Sequence, residues 1–97
     1  MTYKQKLQTV IDWREQIKQA IPDIKYKRVY TRRTKDNQCE TTFWGLSRDS
    51  WNKISKFVVS DNFKHNGCCL GKSRRIINTK VGMRYLGKLS TTLSTIN

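Results

Sequence analysis

The spacing of apolar residues changes near Ile24 from three and four positions to two, which predicts a helix followed by strands. Over residues 2–21, apolar side chains recur as they do on one face of an amphipathic helix. Thr2 and Gln5 have the form of a capping box, and Pro22 is expected to end the helix just before Asp23. The apolar residues of the segment are Leu7, Val10, Ile11, Trp13, Ile17, Ala20 and Ile21.

The next segment alternates as a β-strand does. The run IKYKRVYTRR, residues 24–33, is expected to present Ile24, Tyr26 and Tyr30 on one side and Lys25, Lys27 and Thr31 on the other. A polar turn, TKDNQ, separates it from the run CETTFWGL, which is rich in the threonine and aromatic residues that favour strands. The two runs predict an antiparallel hairpin.

Two further helices are expected after the hairpin. Ser47 is a good N-cap for the first, with Leu46 and Trp51 placed to form a hydrophobic staple, and this helix should end near Ser60. The apolar face should hold Trp51, Ile54, Phe57 and Val58. A last helix is indicated by the four-residue spacing of Ile77, Val81, Tyr85 and Leu89, with Leu86 and Leu93 extending the stripe.

These elements predict one small α+β domain over residues 1–97. It would have an N-terminal helix, an antiparallel hairpin or three-stranded sheet, and two further helices. A chain of 97 residues buries only a modest core, which disfavours an elaborate enzyme.

The charge is strongly positive and unevenly distributed. The chain has 20 Lys and Arg against 7 Asp and Glu, for a net charge of +13. Residues 1–24 hold four basic and three acidic side chains, whereas residues 25–97 hold sixteen basic and four acidic ones. Such a field attracts polyanions. We expect no membrane contact and a cytoplasmic protein, because no apolar run approaches the roughly 18 residues of a spanning helix and no signal-peptide core follows Met1.

The stretch HNGCCLGKSRR, residues 65–75, suggests three kinds of chemistry. A nucleotide-binding phosphate loop is disfavoured, because the glycine before Gly71-Lys72-Ser73 leaves the loop one residue short. Zinc would need all four soft ligands of the chain, including two adjacent cysteines that seldom reach one metal. Those ligands are Cys39, His65, Cys68 and Cys69. We expect a short strand at the two cysteines, no metal and no cofactor.

Catalysis is also disfavoured. His65 is the single histidine, and no carboxylate lies near it in the sequence to orient the ring beside a cysteine nucleophile. We therefore expect a non-enzyme.

The third reading of the stretch is a phosphate-binding segment. If Ser73 caps the last helix, Arg74 and Arg75 occupy its first turn, where the helix dipole disfavours cations and a bound phosphate would offset this. Further along, Lys80, Arg84 and Lys88 recur every four residues and would line one helical face.

This segment also resembles a known family. The run Gly71-Lys72-Ser73-Arg74-Arg75, followed by Ile77, Val81-Gly82, Tyr85-Leu86 and Leu89, resembles the last loop and helix of double-stranded RNA-binding domains. The resemblance implies a helix, three strands and a helix, with Arg74 and Arg75 meeting phosphates across the RNA major groove. Asn78 and Val81 depart from the lysine and the small alanine of the family pattern.

The leading hypothesis is a domain that binds the nucleic-acid backbone, with RNA slightly preferred over DNA because of that resemblance. The expected main contact track is Lys72, Ser73, Arg74, Arg75, Lys80, Arg84 and Lys88. The expected second cluster is Lys25, Lys27, Arg28, Arg32 and Arg33, where interleaved tyrosines suit stacking on bases or sugars. The alternative is a small phage or mobile-element protein that binds a host protein and inhibits a defence or nucleic-acid-handling machine.

Overall fold

The computed structural model of the chain describes residues 2–64, 69–70 and 89–96, and the described elements form an α+β fold, as the sequence predicts. In chain order they are α1 (Tyr3–Ala20), β1 (Arg28–Arg33), β2 (Cys39–Leu46), α2 (Arg48–Val58), β3 (Cys69–Leu70) and β4 (Leu89–Ile96).

Helix α1 begins and ends where the local sequence predicts. The Thr2 hydroxyl accepts a hydrogen bond from the Gln5 backbone at 3.2 Å, and the Gln5 side-chain oxygen accepts one from the Thr2 backbone at 2.8 Å. This reciprocal capping box satisfies two backbone donors that the first helical turn leaves without helical partners. Ile21 closes the helix by donating its backbone N–H to the Ile17 carbonyl at 2.9 Å.

The strands form one antiparallel sheet in the order β1-β2-β4-β3. The predicted hairpin is confirmed, with Arg28 opposite Trp44 at one end of the β1–β2 pair and Arg33 opposite Cys39 at the other. Strand β4 pairs with the other side of β2, so β2 and β4 are the two inner strands and β1 lies at an edge.

Strand β4 corrects the sequence prediction for the end of the chain. Leu89 and Leu93 were expected in the last helix, but both lie in β4. Their four-residue spacing fits a strand equally well, because four is a multiple of the two-residue strand period. The rest of that predicted helix, residues 73–88, lies outside the described residues. Cys69 lies in the short strand β3, as predicted.

Both helices pack on the same face of the sheet and share one core. Trp13 of α1 is fully buried, with its ring centroid 6.1 Å from that of Phe63, and Phe57 meets Phe63 edge-on at 5.5 Å. The buried apolar residues of the cluster are Val10, Trp13, Ile17, Ile21, Cys39, Phe43, Leu46, Ile54, Val58, Phe63 and Leu93.

The N-cap prediction for α2 is also confirmed. The Ser47 hydroxyl accepts a hydrogen bond from the Ser50 backbone at 3.1 Å, and the helix ends at Val58. Trp51 is half-buried and packs against the core, as expected.

A β-bulge at Gly45 changes which side chains face the core. Phe43 and Leu46 are both buried although they are three residues apart, which an uninterrupted strand does not allow. Strand β2 slips by one residue against β4 between Trp44 and Leu46, and Gly45 has a positive φ of 76°. The extra residue restores Leu46 to the core side.

The alternation of buried side chains also changes on the segment before β1. Tyr26 packs edge-on against Phe43 at 5.4 Å, and Val29, three residues later, also packs against the core. Tyr30 is therefore exposed rather than on the side of Tyr26, and Thr31 is half-buried. The predicted sides were wrong for these last two residues.

Candidate nucleic-acid interface

The outer β1 face, defined as Arg28, Tyr30 and Arg32, points away from the helices. The intervening residues face α1: Val29 packs against the core, and Thr31 accepts a hydrogen bond from the Arg14 guanidinium at 3.4 Å. Because successive side chains of a strand point to opposite faces, Arg28, Tyr30 and Arg32 share the other face, and all three are exposed. The strand thus presents a tyrosine between two arginines.

The Tyr30 ring differs from those of the other described tyrosines. Lys18 lies 5.9 Å from the Tyr26 ring centroid, and the Arg33 guanidinium lies 4.6 Å from that of Tyr3. Among the described residues, no cation lies over the Tyr30 ring and no aromatic ring packs against it, and Tyr30 is 42% exposed. Its phenol group contributes to raising the pKa of Arg32. Its cross-strand neighbour is the small residue Thr42. The ring is therefore accessible to a stacking ligand.

Arg28 is held by an aromatic surface. Its guanidinium carbon lies 4.9 Å from the ring centroid of Trp44, its register partner on β2. A cation over an indole face is attracted by the ring quadrupole, so this contact restricts the guanidinium without neutralising its charge.

Arg32 is held by a carboxylate instead. Its guanidinium forms a salt bridge with Glu40, the residue opposite it on β2, and the Arg32 side chain stays 65% exposed. The hydrogen bond and the charge of Glu40 raise the pKa of Arg32 above its ordinary value. A phosphate at Arg32 would have to compete with Glu40.

Lys25 and Lys27 precede the strand, on a backbone that is fixed to the rest of the fold. The Lys25 N–H donates to the Ser50 hydroxyl at 2.8 Å, and its carbonyl accepts from the Ser47 N–H at 3.1 Å. The Lys27 N–H donates to the Trp44 carbonyl at 2.8 Å. Both residues are exposed, so two ammonium groups project from anchored backbone positions beside Arg28.

Arg33 does not join the outer β1 face. It lies over Tyr3 of α1, and its guanidinium donates two hydrogen bonds to the Asn37 side-chain oxygen, at 3.0 and 2.5 Å. The predicted second cluster is therefore divided: Arg28 and Arg32 lie on the outer face, the two lysines at its start, and Arg33 on the helix side.

The predicted main contact track lies outside the described residues. Its members are Lys72, Ser73, Arg74, Arg75, Lys80, Arg84 and Lys88. His65 and Cys68 also lie outside them. Within the described residues no group of three His, Cys, Asp or Glu side chains could hold a metal ion, and Cys39 is buried in the core. No helix in the described ranges is long and apolar enough to cross a membrane.

Trp44 and Glu40 contact the two arginines of the candidate site and were missed by the sequence prediction, although the hairpin turn carried the signal. Counting outward from the turn TKDNQ pairs Arg33 with Cys39, and the same count then pairs Arg32 with Glu40 and Arg28 with Trp44. A register read from the turn would have identified both partners.

Comparison of the chain with protein-family models, curated proteins and solved structures found no match. The resemblance to double-stranded RNA-binding domains stays a prediction. The described elements end in strand β4, with α2 between β2 and β3, whereas the resemblance implies three consecutive strands followed by a helix.

Proposed function

We propose that this protein is a non-enzymatic nucleic-acid-binding domain that contacts the phosphate backbone of RNA or DNA. The observation that carries the proposal is the excess of positive charge at and before β1. Lys25, Lys27 and Arg28 are exposed, and within the described part of the chain none of them forms a salt bridge. Lys25 contributes to lowering the pKa of Asp23, which already pairs with Lys53. Three neighbouring cations with at most one distant carboxylate favour a polyanionic ligand.

The expected binding mode carries little base preference. Contacts from lysine and arginine to phosphates position a protein on nucleic acid without reading its sequence. The segment that holds Lys72, Arg74 and Arg75 would add further phosphate contacts, a part of the proposal that depends on sequence alone. Each such contact releases condensed counterions, so affinity should fall steeply as salt is raised.

A fluorescence-anisotropy titration tests the proposal. Labelled duplex RNA, duplex DNA and single strands would be titrated at about 50 and 200 mM salt. Substituting Lys25, Lys27 and Arg28 together by Gln should lower the slope of log affinity against log salt by about two on single strands, at roughly 0.7 per lost phosphate contact.

The matched control removes the same charge elsewhere. Lys4, Lys56 and Lys64 are exposed and lie away from β1, so their combined substitution by Gln should leave most of the slope intact. Equal losses in both variants would show that net charge alone, rather than this site, attracts the ligand.

A different result would favour the alternative function. If the protein binds none of these nucleic acids, and a nuclease-treated lysate yields a stoichiometric protein partner, the basic surface would instead serve an inhibitor that acts by protein contact. That outcome would overturn the proposal.

A further inference from the structure

We infer that the preferred ligand is a single strand, with one base stacked on Tyr30 and its flanking phosphates contacted by Arg28 and Arg32. This inference rests on the proposed function and adds the class of nucleic acid to it. The carrying observation is the accessible aromatic ring at the centre of the outer β1 face, with an arginine two residues away on each side.

The geometry suits a strand whose bases are splayed. Side chains two residues apart on one strand face are separated by about 6.6 Å, so both arginines can reach past a base that covers the tyrosine ring. In a duplex the base faces are already stacked on their neighbours and cannot meet an aromatic side chain. Bases of a single strand can stack on an aromatic side chain, and such stacking tolerates any sequence because every base has a π-face.

The two arginines are restrained before any ligand arrives. Arg28 lies against Trp44, so its guanidinium loses less conformational freedom on binding than a free side chain would. Arg32 is positioned by Glu40, with which a phosphate has to compete. Tyr30 has no comparable partner among the described residues. Within the described ranges, the exposed ring of Tyr30 thus lies between two positioned cations.

Tyrosine substitution provides the test. Labelled RNA and DNA single strands of about 12 nucleotides, matched duplexes and an abasic strand of equal length would be titrated by anisotropy. Tyr30→Ala should weaken binding of both single strands about five- to 150-fold, the range for losing one stacked base. Tyr30→Phe should restore binding to within about twofold, since the phenyl ring keeps its stacking face. A difference between the RNA and DNA arms identifies which sugar the site prefers.

Tyr3→Ala is the matched control. Tyr3 is also partly exposed, at 36%, but its ring already has Arg33 against it and it lies on α1. This substitution should leave single-strand affinity unchanged. The abasic strand should bind wild-type protein and Tyr30→Ala equally, because it offers phosphates but no base.

The outcomes separate this inference from the proposed function. If Tyr30→Ala remains folded by circular dichroism and binds single strands as wild type does, the stacking role is wrong. The backbone-binding proposal would still stand if the lysine and Arg28 substitutions lower the salt slope. An equal loss on the abasic strand would also overturn the stacking role, whereas absence of any salt-dependent binding would overturn both.

Discussion

Gly45 and Lys27 approach so closely that a Cβ added to Gly45 would lie 2.8 Å from the Cβ of Lys27. This contact occurs at the bulge of β2, where the Lys27 backbone donates to the Trp44 carbonyl. The bulge places Leu46 in the core, and Gly45 lies against Lys27 just before β1. One glycine therefore links the packing of the domain to the start of its candidate binding face.

Gly45→Ala should therefore destabilise the fold. The φ of +76° is strained for any residue with a Cβ, and the new methyl group would also overlap Lys27. We expect the free energy of unfolding to fall by about 1–3 kcal/mol in a urea titration. Asn52→Ala, at an exposed position of α2, serves as the control and should change stability little. Unchanged stability in Gly45→Ala would show that the bulge relaxes easily.

Ser50→Ala should destabilise the protein by removing a hydrogen bond between α2 and the segment that holds Lys25. The Ser50 side chain is buried and accepts hydrogen bonds from the Lys25 backbone at 2.8 Å and from the Ser47 hydroxyl at 2.9 Å. Leaving the partly buried Lys25 N–H without a partner costs about 1–3 kcal/mol. The loss should appear in thermal or chemical unfolding.

Ser55→Ala in the same helix provides the comparison for that prediction. The Ser55 hydroxyl only adds a bond to the Trp51 carbonyl, at 3.0 Å, so its removal should cost much less. Similar losses in the two serine variants would contradict a specific anchoring role for Ser50.

The parts of the fold predicted from sequence are those that depend on neighbouring residues. The capping box at Thr2 and the N-cap at Ser47 each involve residues within one helical turn, and both form as expected. The orientation of Tyr30 was missed because the two-residue alternation was continued from Tyr26, whereas Val29 rather than Tyr30 packs against the core. The strand at Leu93 was missed because leucines four residues apart satisfy both the helical and the strand period, although the surrounding threonines favour a strand.

The candidate site was predicted less completely for a related reason. The cations of the second cluster are visible in the sequence, but their division between two faces depends on tertiary partners. Arg33 is drawn to Tyr3, 30 residues earlier in the chain, whereas Arg28 lies on Trp44 across the hairpin. The composition shows that cations are numerous, but only the packing shows which of them can contact a ligand.

Lys53→Gln should raise the pKa of Asp23. The Lys53 ammonium lies 2.6 Å from the Asp23 carboxylate and 3.1 Å from that of Asp49, and the hydrogen bond from Lys53 lowers the pKa of Asp23. A lowered folded-state pKa stabilises the fold above the ordinary aspartate pKa, and this contribution is lost as pH falls through the folded value. We expect a weaker dependence of stability on acid in Lys53→Gln.

A carboxyl NMR titration of Asp23 gives the direct readout of that change. Lys56→Gln removes a lysine from the same helix and should leave the Asp23 titration in place. Because the pair is exposed, high salt should diminish the difference between wild type and Lys53→Gln. If the pKa of Asp23 changes neither in Lys53→Gln nor at high salt, the hydrogen bond from Lys53 is not what lowers it.

Glu40→Gln should strengthen nucleic-acid binding. The substitution frees Arg32 from its salt bridge and removes a negative charge from the outer β1 face. We expect affinity for single strands to rise about two- to fivefold at low salt, the scale of one exposed charge interaction. The salt slope should change by less than the roughly 0.7 of a whole phosphate contact, because Arg32 contacts a flanking phosphate in the wild-type protein as well. Asp36→Asn makes the same charge change in the exposed hairpin turn and should have a smaller effect. If Glu40→Gln and Asp36→Asn raise the affinity equally, the effect comes from net charge rather than from the release of Arg32.

Substituting Arg74 and Arg75 together by Gln tests the segment beyond the described residues. If that segment supplies phosphate contacts, binding should weaken on every sequence tested and the salt slope should fall by about one to two units. If Ser73 caps a helix, as the sequence predicts, these arginines would occupy its first turn, where each cation is unfavourable by roughly 0.3–1 kcal/mol at low salt. The stability of the free variant should then hold or rise. A ligand-binding role thus predicts an unchanged or higher melting temperature for the double variant, whereas a folding role predicts a lower one. A double variant that melts at a lower temperature yet binds nucleic acid as wild type does would assign these arginines to the fold and leave the binding surface to the cations around β1.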